Sequence, residues 1–184
     1  MIALRTISIT LLLLACSFLS NAQSNEDVLE FGIRGGINQS NLKDSNGKSR
    51  FGPTIGFFAE YNASEKVAIR SELKYSSLGT KEKENISGLK LNYVQALPIL
   101  LKVYPAESFS LEIGPYAGYL LNKKGSINKS DLRKFDFGAS AGLGYHLTDH
   151  LELGARYYFG MRDITKTIGK AKNRFIEIAL SYTF

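Results

Sequence analysis

Apolar and polar residues alternate along most of this chain with period two, the mark of strands that present one apolar face and one polar face. From Phe109 the odd positions run Phe109, Leu111, Ile113, Pro115, Ala117, Tyr119 and Leu121, with Ser110, Glu112, Gly114, Tyr116 and Gly118 between them. Phe135, Phe137, Ala139, Ala141, Leu143, Tyr145 and Leu147 likewise alternate with Asp136, Gly138, Ser140, Gly142, Gly144 and His146. Leu151, Leu153, Ala155, Tyr157, Phe159 and Met161 oppose Glu152, Gly154, Arg156, Tyr158, Gly160 and Arg162. The pattern predicts eight strands, over residues 29–38, 53–62, 67–78, 89–104, 109–121, 135–147, 151–161 and 174–184. These runs exceed the roughly 5–6 residues of an ordinary soluble strand. They match the roughly 9–11 residues with which a tilted strand crosses a bilayer.

The connections alternate too. Residues 63–66, 105–108 and 148–150 are short turns, whereas 39–52, 79–88, 122–134 and 162–173 are longer and polar. An even strand count with short turns on one side and long loops on the other predicts an all-β, eight-stranded, antiparallel up-and-down transmembrane β-barrel with both termini in the periplasm. Tyr75, Phe109, Tyr119, Phe135, Tyr145, Tyr157, Phe159, Tyr182 and Phe184 fall on the apolar face, mostly toward strand ends, where rings suit the headgroup boundary. A soluble barrel of lipocalin type is the alternative, with those aromatics packed inward. Strand length, the export signal described next and the aromatic C-terminus weigh against it.

The first residues change the picture by adding a compartment. Arg5, an apolar run from Ile7 to Leu19 and small residues at Ser20 and Ala22 have the three-part form of a secretory signal peptide. Residues 1–22 are therefore expected to be removed, and residues 23–184 to form the outer-membrane barrel domain. Cys16 is the only cysteine, so a chain cleaved after Ala22 has no thiol chemistry and no disulfide. Leu13-Leu-Ala-Cys16 loosely resembles a lipoprotein box, but the better-formed site ends at Ala22.

The chain ends Ile176-Glu-Ile178-Ala-Leu180-Ser-Tyr182-Thr-Phe184, and a terminal aromatic strand of this form resembles the signal read by the outer-membrane barrel assembly machinery. More specific is the block Tyr93-Val-Gln-Ala-Leu-Pro98-Ile-Leu-Leu-Lys102-Val-Tyr-Pro105, followed by Gly114-Pro-Tyr116, Gly142-Leu-Gly-Tyr145 and Ala155-Arg-Tyr157. With these blocks the chain resembles the outer-membrane β-barrels of Bacteroidetes labelled PorT-like or porin-family, eight-stranded barrels of OmpA/OmpX type. The segment between Tyr93 and Pro98 is one residue longer than that family's usual pattern, and a β-bulge would absorb it. The resemblance implies fold and membrane more firmly than it implies any activity.

Candidate chemistry lies on the polar face and in the loops. Arg34, Arg70, Lys74, Lys102, Arg156 and Arg162 share the inward parity with Glu60, Glu72, Glu112, Asp136, Glu152 and Glu177, six charges of each sign. An eight-stranded barrel has room inside only for side chains. Such a balanced set is expected to pair and close the lumen, a proton or ion path being the other reading. The loops are basic: Lys43, Lys48, Arg50, Lys81, Lys83, Lys123, Lys124, Lys129, Arg133, Lys134, Lys170, Lys172 and Arg174 face only Asp44, Glu82, Glu84 and Asp131. Lys123, Lys124, Lys129, Arg133 and Lys134 form the densest group. It is expected either to meet an anionic partner such as lipopolysaccharide or to be ordinary solvated surface. No catalytic, cofactor or metal site is expected: His146 and His150 fall at a periplasmic turn, and neither a Ser-His-Asp set nor a His-rich metal spacing can be assembled. The expected partners are outer-membrane lipid and the assembly machinery, not nucleic acid. A structural or interaction-type barrel is the leading reading, with a small solute channel or a secretion accessory behind it. Gly35, Gly36, Gly138, Gly142 and Gly144 are read as sites of close strand packing.

Overall fold

The computed structural model describes residues 29–43, 48–81, 88–125, 132–164 and 172–184. The predicted signal segment lies outside them. Eight strands follow one another in chain order: β1 (Leu29–Lys43), β2 (Lys48–Ser64), β3 (Val67–Lys81), β4 (Leu89–Ala106), β5 (Phe109–Lys124), β6 (Phe135–His146), β7 (Leu151–Asp163) and β8 (Lys172–Thr183). Each pairs antiparallel with its neighbour, and β1 pairs with β8 to close the barrel. The final residue joins the seam, Phe184 N–H donating to Phe31 O at 3.0 Å.

The alternation sorts side chains as the period requires, but inside out relative to a soluble barrel. Outward positions are apolar and bare: Phe57 is 70% exposed, Ile55 64% and Ile113 59%. Inward positions include Arg70, Lys102, Arg156 and Glu177, all 2% exposed or less. A continuous apolar exterior around a charged interior belongs in lipid, where every backbone polar group must be paired within the sheet.

Two expectations are corrected. The strands run on into the segments read as long loops, over 39–43, 48–52, 79–81, 122–124, 162–163 and 172–173, because a main-chain ladder continues wherever two chains stay paired. Hydrophobic alternation marks only the part that meets lipid. Thus Ser40 faces Arg50, Lys43 faces Lys172 and Lys48 faces Lys81 in register, and the basic residues assigned to loops at 43, 48, 50, 81, 123, 124, 172 and 174 stand on strands.

The second correction concerns the extra residue in β4. It sits after Leu97: Arg70 faces Leu100 and Glu72 faces Leu97, so Pro98 and Ile99 oppose Ser71 alone. This bulge reverses the parity of the strand. Above it Leu89, Leu91, Tyr93, Gln95 and Leu97 are buried; below it Leu100 and Lys102 are. The carbonyls it frees find hydroxyls, Ser71 Oγ donating to Pro98 O at 2.7 Å and Ser140 Oγ to Gly114 O at 3.1 Å.

The glycines divide. A Cβ on Gly36 would lie 2.1 Å from Ile178 O, and one on Gly138 would lie 1.8 Å from Phe159 O, so these two hold strands at close approach. Gly35 does not: it faces lipid with nothing within 4 Å of the added atom.

Candidate functional site

The lower lumen, toward the short turns and the termini, is filled by one ionic network. Its cations are Arg34, Arg70, Lys74, Lys102 and Arg156; its anions are Glu60, Glu72, Glu112, Glu152 and Glu177. Arg156 forks between two carboxylates, with Nη1 and Nη2 on Glu72 at 2.8 and 3.0 Å, and Nε and Nη2 on Glu112 at 3.0 and 2.7 Å. Arg70 bonds Glu60 through Nε and Glu152 through Nη1, the latter at 3.0 Å. Lys102 reaches Glu152 at 2.5 Å and Glu60 at 3.1 Å. Arg34 donates to Glu177 at 3.2 Å and to Ser181 Oγ at 2.7 Å, and Lys74 completes Glu177. Five positive groups meet five negative ones, all buried, in a medium where an unpaired charge is costly.

At the bottom His146, on the last residue of β6, places Nε2 3.3 Å from Glu152. At the top Tyr158 closes the network: its hydroxyl lies 2.6 Å from Lys74 Nζ and 3.0 Å from Arg156 Nη1. The Tyr158 ring stacks on Phe175 with centroids 4.2 Å apart, and Tyr116 meets both edge-on. Above this aromatic layer the lumen holds an apolar cluster, Leu78, Leu89, Leu91, Leu97, Leu120, Leu132 and Ile164, beside the buried polar side chains of Gln95, Asp136 and Asn173. Leu132 and Ile164 come from the β5–β6 and β7–β8 connections and are tied together by Arg133 N–H donating to Ile164 O at 2.8 Å.

Two members of the predicted charge set stand outside the network. Arg162 is half-buried near the outer end of β7 and joins none of the ion pairs among the described residues. Asp136 is buried above the aromatic layer, bonded to Tyr116 Oη at 3.3 Å and Asn173 Nδ2 at 2.7 Å; among the described residues it makes no ion pair within 4.0 Å, and Arg162 acts on it only from further off. The apolar cluster of the upper lumen is the feature that parity counting missed. Tyr116, Tyr158 and Phe175 stood at inward parity and could have marked it, but the β4 bulge hid Leu89, Leu91 and Leu97 by reversing the count.

At the outer rim Lys124 is exposed, Lys123 and Arg133 are half-buried, and Lys134 is exposed. Lys129 lies outside the described residues. Lys123 Nζ donates to Gly125 O at 3.2 Å. Lysine faces lysine at three positions of the register: Lys43 and Lys172, Lys48 and Lys81, Lys90 and Lys124.

The comparisons with known proteins turn on this barrel. A family profile described as an outer membrane protein beta-barrel domain matches residues 21–166, most of the chain. The chain belongs to that family. Its place is the outer membrane. Among solved structures, Ail of Yersinia pestis, the attachment invasion locus protein, is similar at a TM-score of 0.52 and 14% identity, covering 84% of this chain and 98% of its own. Neisserial surface protein A is similar at 0.54 and 13%, covering 86% of this chain and 98% of its own. At such identities the likeness is one of fold alone. Comparison with the curated proteins yields no match.

Proposed function

We propose that this outer-membrane barrel serves as a structural or interaction-type protein whose basic outer rim contacts anionic surface glycolipid of the lipopolysaccharide kind. The observation that carries the reading is the opposition of like charges at the outer strand ends, Lys90 facing Lys124 in register beside Lys123, Arg133 and Lys134. Like charges directly opposite one another destabilise a sheet by several tenths of a kcal/mol each. A surface dense in phosphate offsets that repulsion, and no acidic residue at the rim of the described strands does so for Lys90 and Lys124. The lumen in this reading is closed twice, by ion pairs below and by aromatic and aliphatic packing above. The barrel is neither a pore nor an enzyme. Both histidines lie at its periplasmic end.

Within the family, the Tyr93 to Pro105 block supports the reading of a PorT-like barrel of Bacteroidetes, and the run from Ile7 to Ala22 supports export with cleavage after Ala22. The small solute channel and the secretion accessory are the competing readings. Charge reversal of Lys123, Lys124, Lys129 and Lys134 is expected to weaken binding to lipopolysaccharide-containing vesicles and to flatten its dependence on salt. Binding that is unchanged and insensitive to salt removes the rim assignment. In planar bilayers the purified protein is expected to pass no steady current; large, stable unit conductances would remove the closed lumen.

A further inference from the structure

The structure assigns a small alkali-cation site to the upper lumen, centred on Asp136 and completed by Gln95 and Tyr93. The ionic network below is balanced five to five, so it has no cation to spare. Asp136 is 1% exposed, and its Oδ1 has no hydrogen-bond partner, while Oδ2 accepts from Asn173 and Tyr116. A carboxylate so far from water is stable only with a counter-charge or a proton.

Neighbouring side chains supply further oxygens that nothing satisfies. In register, Gln95 of β4 faces Gly118 of β5, and Gly118 faces Asp136 of β6, so the two side chains project inward on either side of a residue that has none. Gln95 leans over that gap: its Cγ lies 3.5 Å and its Nε2 3.8 Å from where a Cβ on Gly118 would stand, and Tyr93 Cδ1 lies 3.5 Å from the same point. Gln95 is wholly buried with both amide atoms unpartnered, and the buried Tyr93 hydroxyl lies beside Asn173 without a close hydrogen bond. One formal negative charge among neutral hard oxygens suits a monovalent ion such as Na⁺ or K⁺. Divalent ions want more carboxylates than this site offers.

The full chain, refolded in detergent micelles, is to be unfolded in urea at constant ionic strength in NaCl, KCl or choline chloride. A cation that binds only the folded barrel shifts the folding equilibrium about a hundredfold at a hundredfold excess over its dissociation constant. The wild type is expected to show a saturable rise of the midpoint in NaCl or KCl over choline chloride, and Asp136→Asn to show none. Gln95→Leu is expected to weaken the effect without removing it. Equal midpoints in all three salts overturn the assignment and leave Asp136 protonated. The same salt effect persisting in Asp136→Asn overturns it as well. Loss of the effect in Arg162→Gln but not in Asp136→Asn would move the site to the rim and so overturn it here. Should Asp136→Asn fail to fold, anomalous scattering from wild-type crystals soaked in RbCl decides: a peak against Asp136 Oδ1 supports the site, and no peak there refutes it.

Discussion

Replacing Arg156 with Met is the most direct perturbation of the closed lumen. The guanidinium makes four hydrogen bonds to Glu72 and Glu112, at 2.7 to 3.0 Å, and a fifth to Tyr158. Methionine keeps much of the volume and none of the charge. Glu72 is then left with Arg70 at 3.9 Å and Glu112 with Lys102 at 4.0 Å, distances too long for a good hydrogen bond. Breaking one side of a buried ion pair costs about 3–5 kcal/mol, because the surviving charge stays desolvated. The folding equilibrium should therefore fall by about a hundredfold to a few thousandfold, at about 1.4 kcal/mol per decade. Urea titration in vesicles, followed by tyrosine fluorescence and by heat-modifiable gel migration, measures it. The double variant Arg156→Met, Glu112→Gln restores the balance at four cations and four anions, leaves Glu72 facing Arg70, and should recover most of the loss, since neutral replacement of a buried ion pair is often tolerated. A single variant within about 1 kcal/mol of wild type, or a double variant no better than the single, would refute the view that charge balance rather than side-chain bulk holds the lower lumen.

Other sites give independent checks. Ser71→Ala strands the Pro98 carbonyl on the lipid face of the β4 bulge and should cost about 1–3 kcal/mol in vesicle unfolding, with Ser71→Thr near wild type. Adjacent glycines should behave oppositely: Gly35→Ala, open to lipid, should gain about 0.4–1 kcal/mol through the unfolded state. Gly36→Ala, pressed on Ile178 O, should lose about 1–3 kcal/mol or fail to close the barrel in the same titration. Deleting Phe184 should lower insertion in cells more than refolding in detergent; equal loss in both would assign the residue to the β1–β8 seam, where its N–H bonds Phe31.

Strand number, antiparallel order and the outward aromatics were legible because period two survives any local detail. Tyr119, Phe135, Tyr145, Phe159 and Tyr182 all face out as the parity requires. Strand ends were not legible, since above the lipid the ladder at Ser40 and Arg50 or Lys48 and Lys81 leaves no hydrophobic trace. The lumen was half legible. Ten of the twelve inward charges lie within reach of one another because they share parity and depth. Asp136 and Arg162 share the parity but stand nearer the outer end of the barrel. Depth is what a two-residue period cannot encode, and a single bulge at Pro98 and Ile99 was enough to disguise the apolar cluster of the upper lumen.

The glycines of β6 explain how so large a network fits. Seven strands supply its charges: β1 gives Arg34, β2 Glu60, β3 Arg70, Glu72 and Lys74, β4 Lys102, β5 Glu112, β7 Glu152 and Arg156, and β8 Glu177. Strand β6 supplies none of the ten, and across the network's depth its inward positions are Gly138, Ser140, Gly142 and Gly144. A Cβ on Gly142 would stand 3.0 Å from Arg156 Cγ, and one on Gly144 would stand 2.4 Å from Ser110 Oγ and 3.2 Å from Glu152 Cδ. Gly154 of β7 does the same for Arg34, whose Nη2 would lie 2.6 Å from an added Cβ. In a barrel too narrow for a channel, long charged side chains from one side of the wall need a bare wall opposite. The glycines are thus the counterpart of the arginines, and neither set has its role without the other. Because Arg34 and Glu177 stand on the two strands that close last in sequence, their ion pair forms only when β1 meets β8.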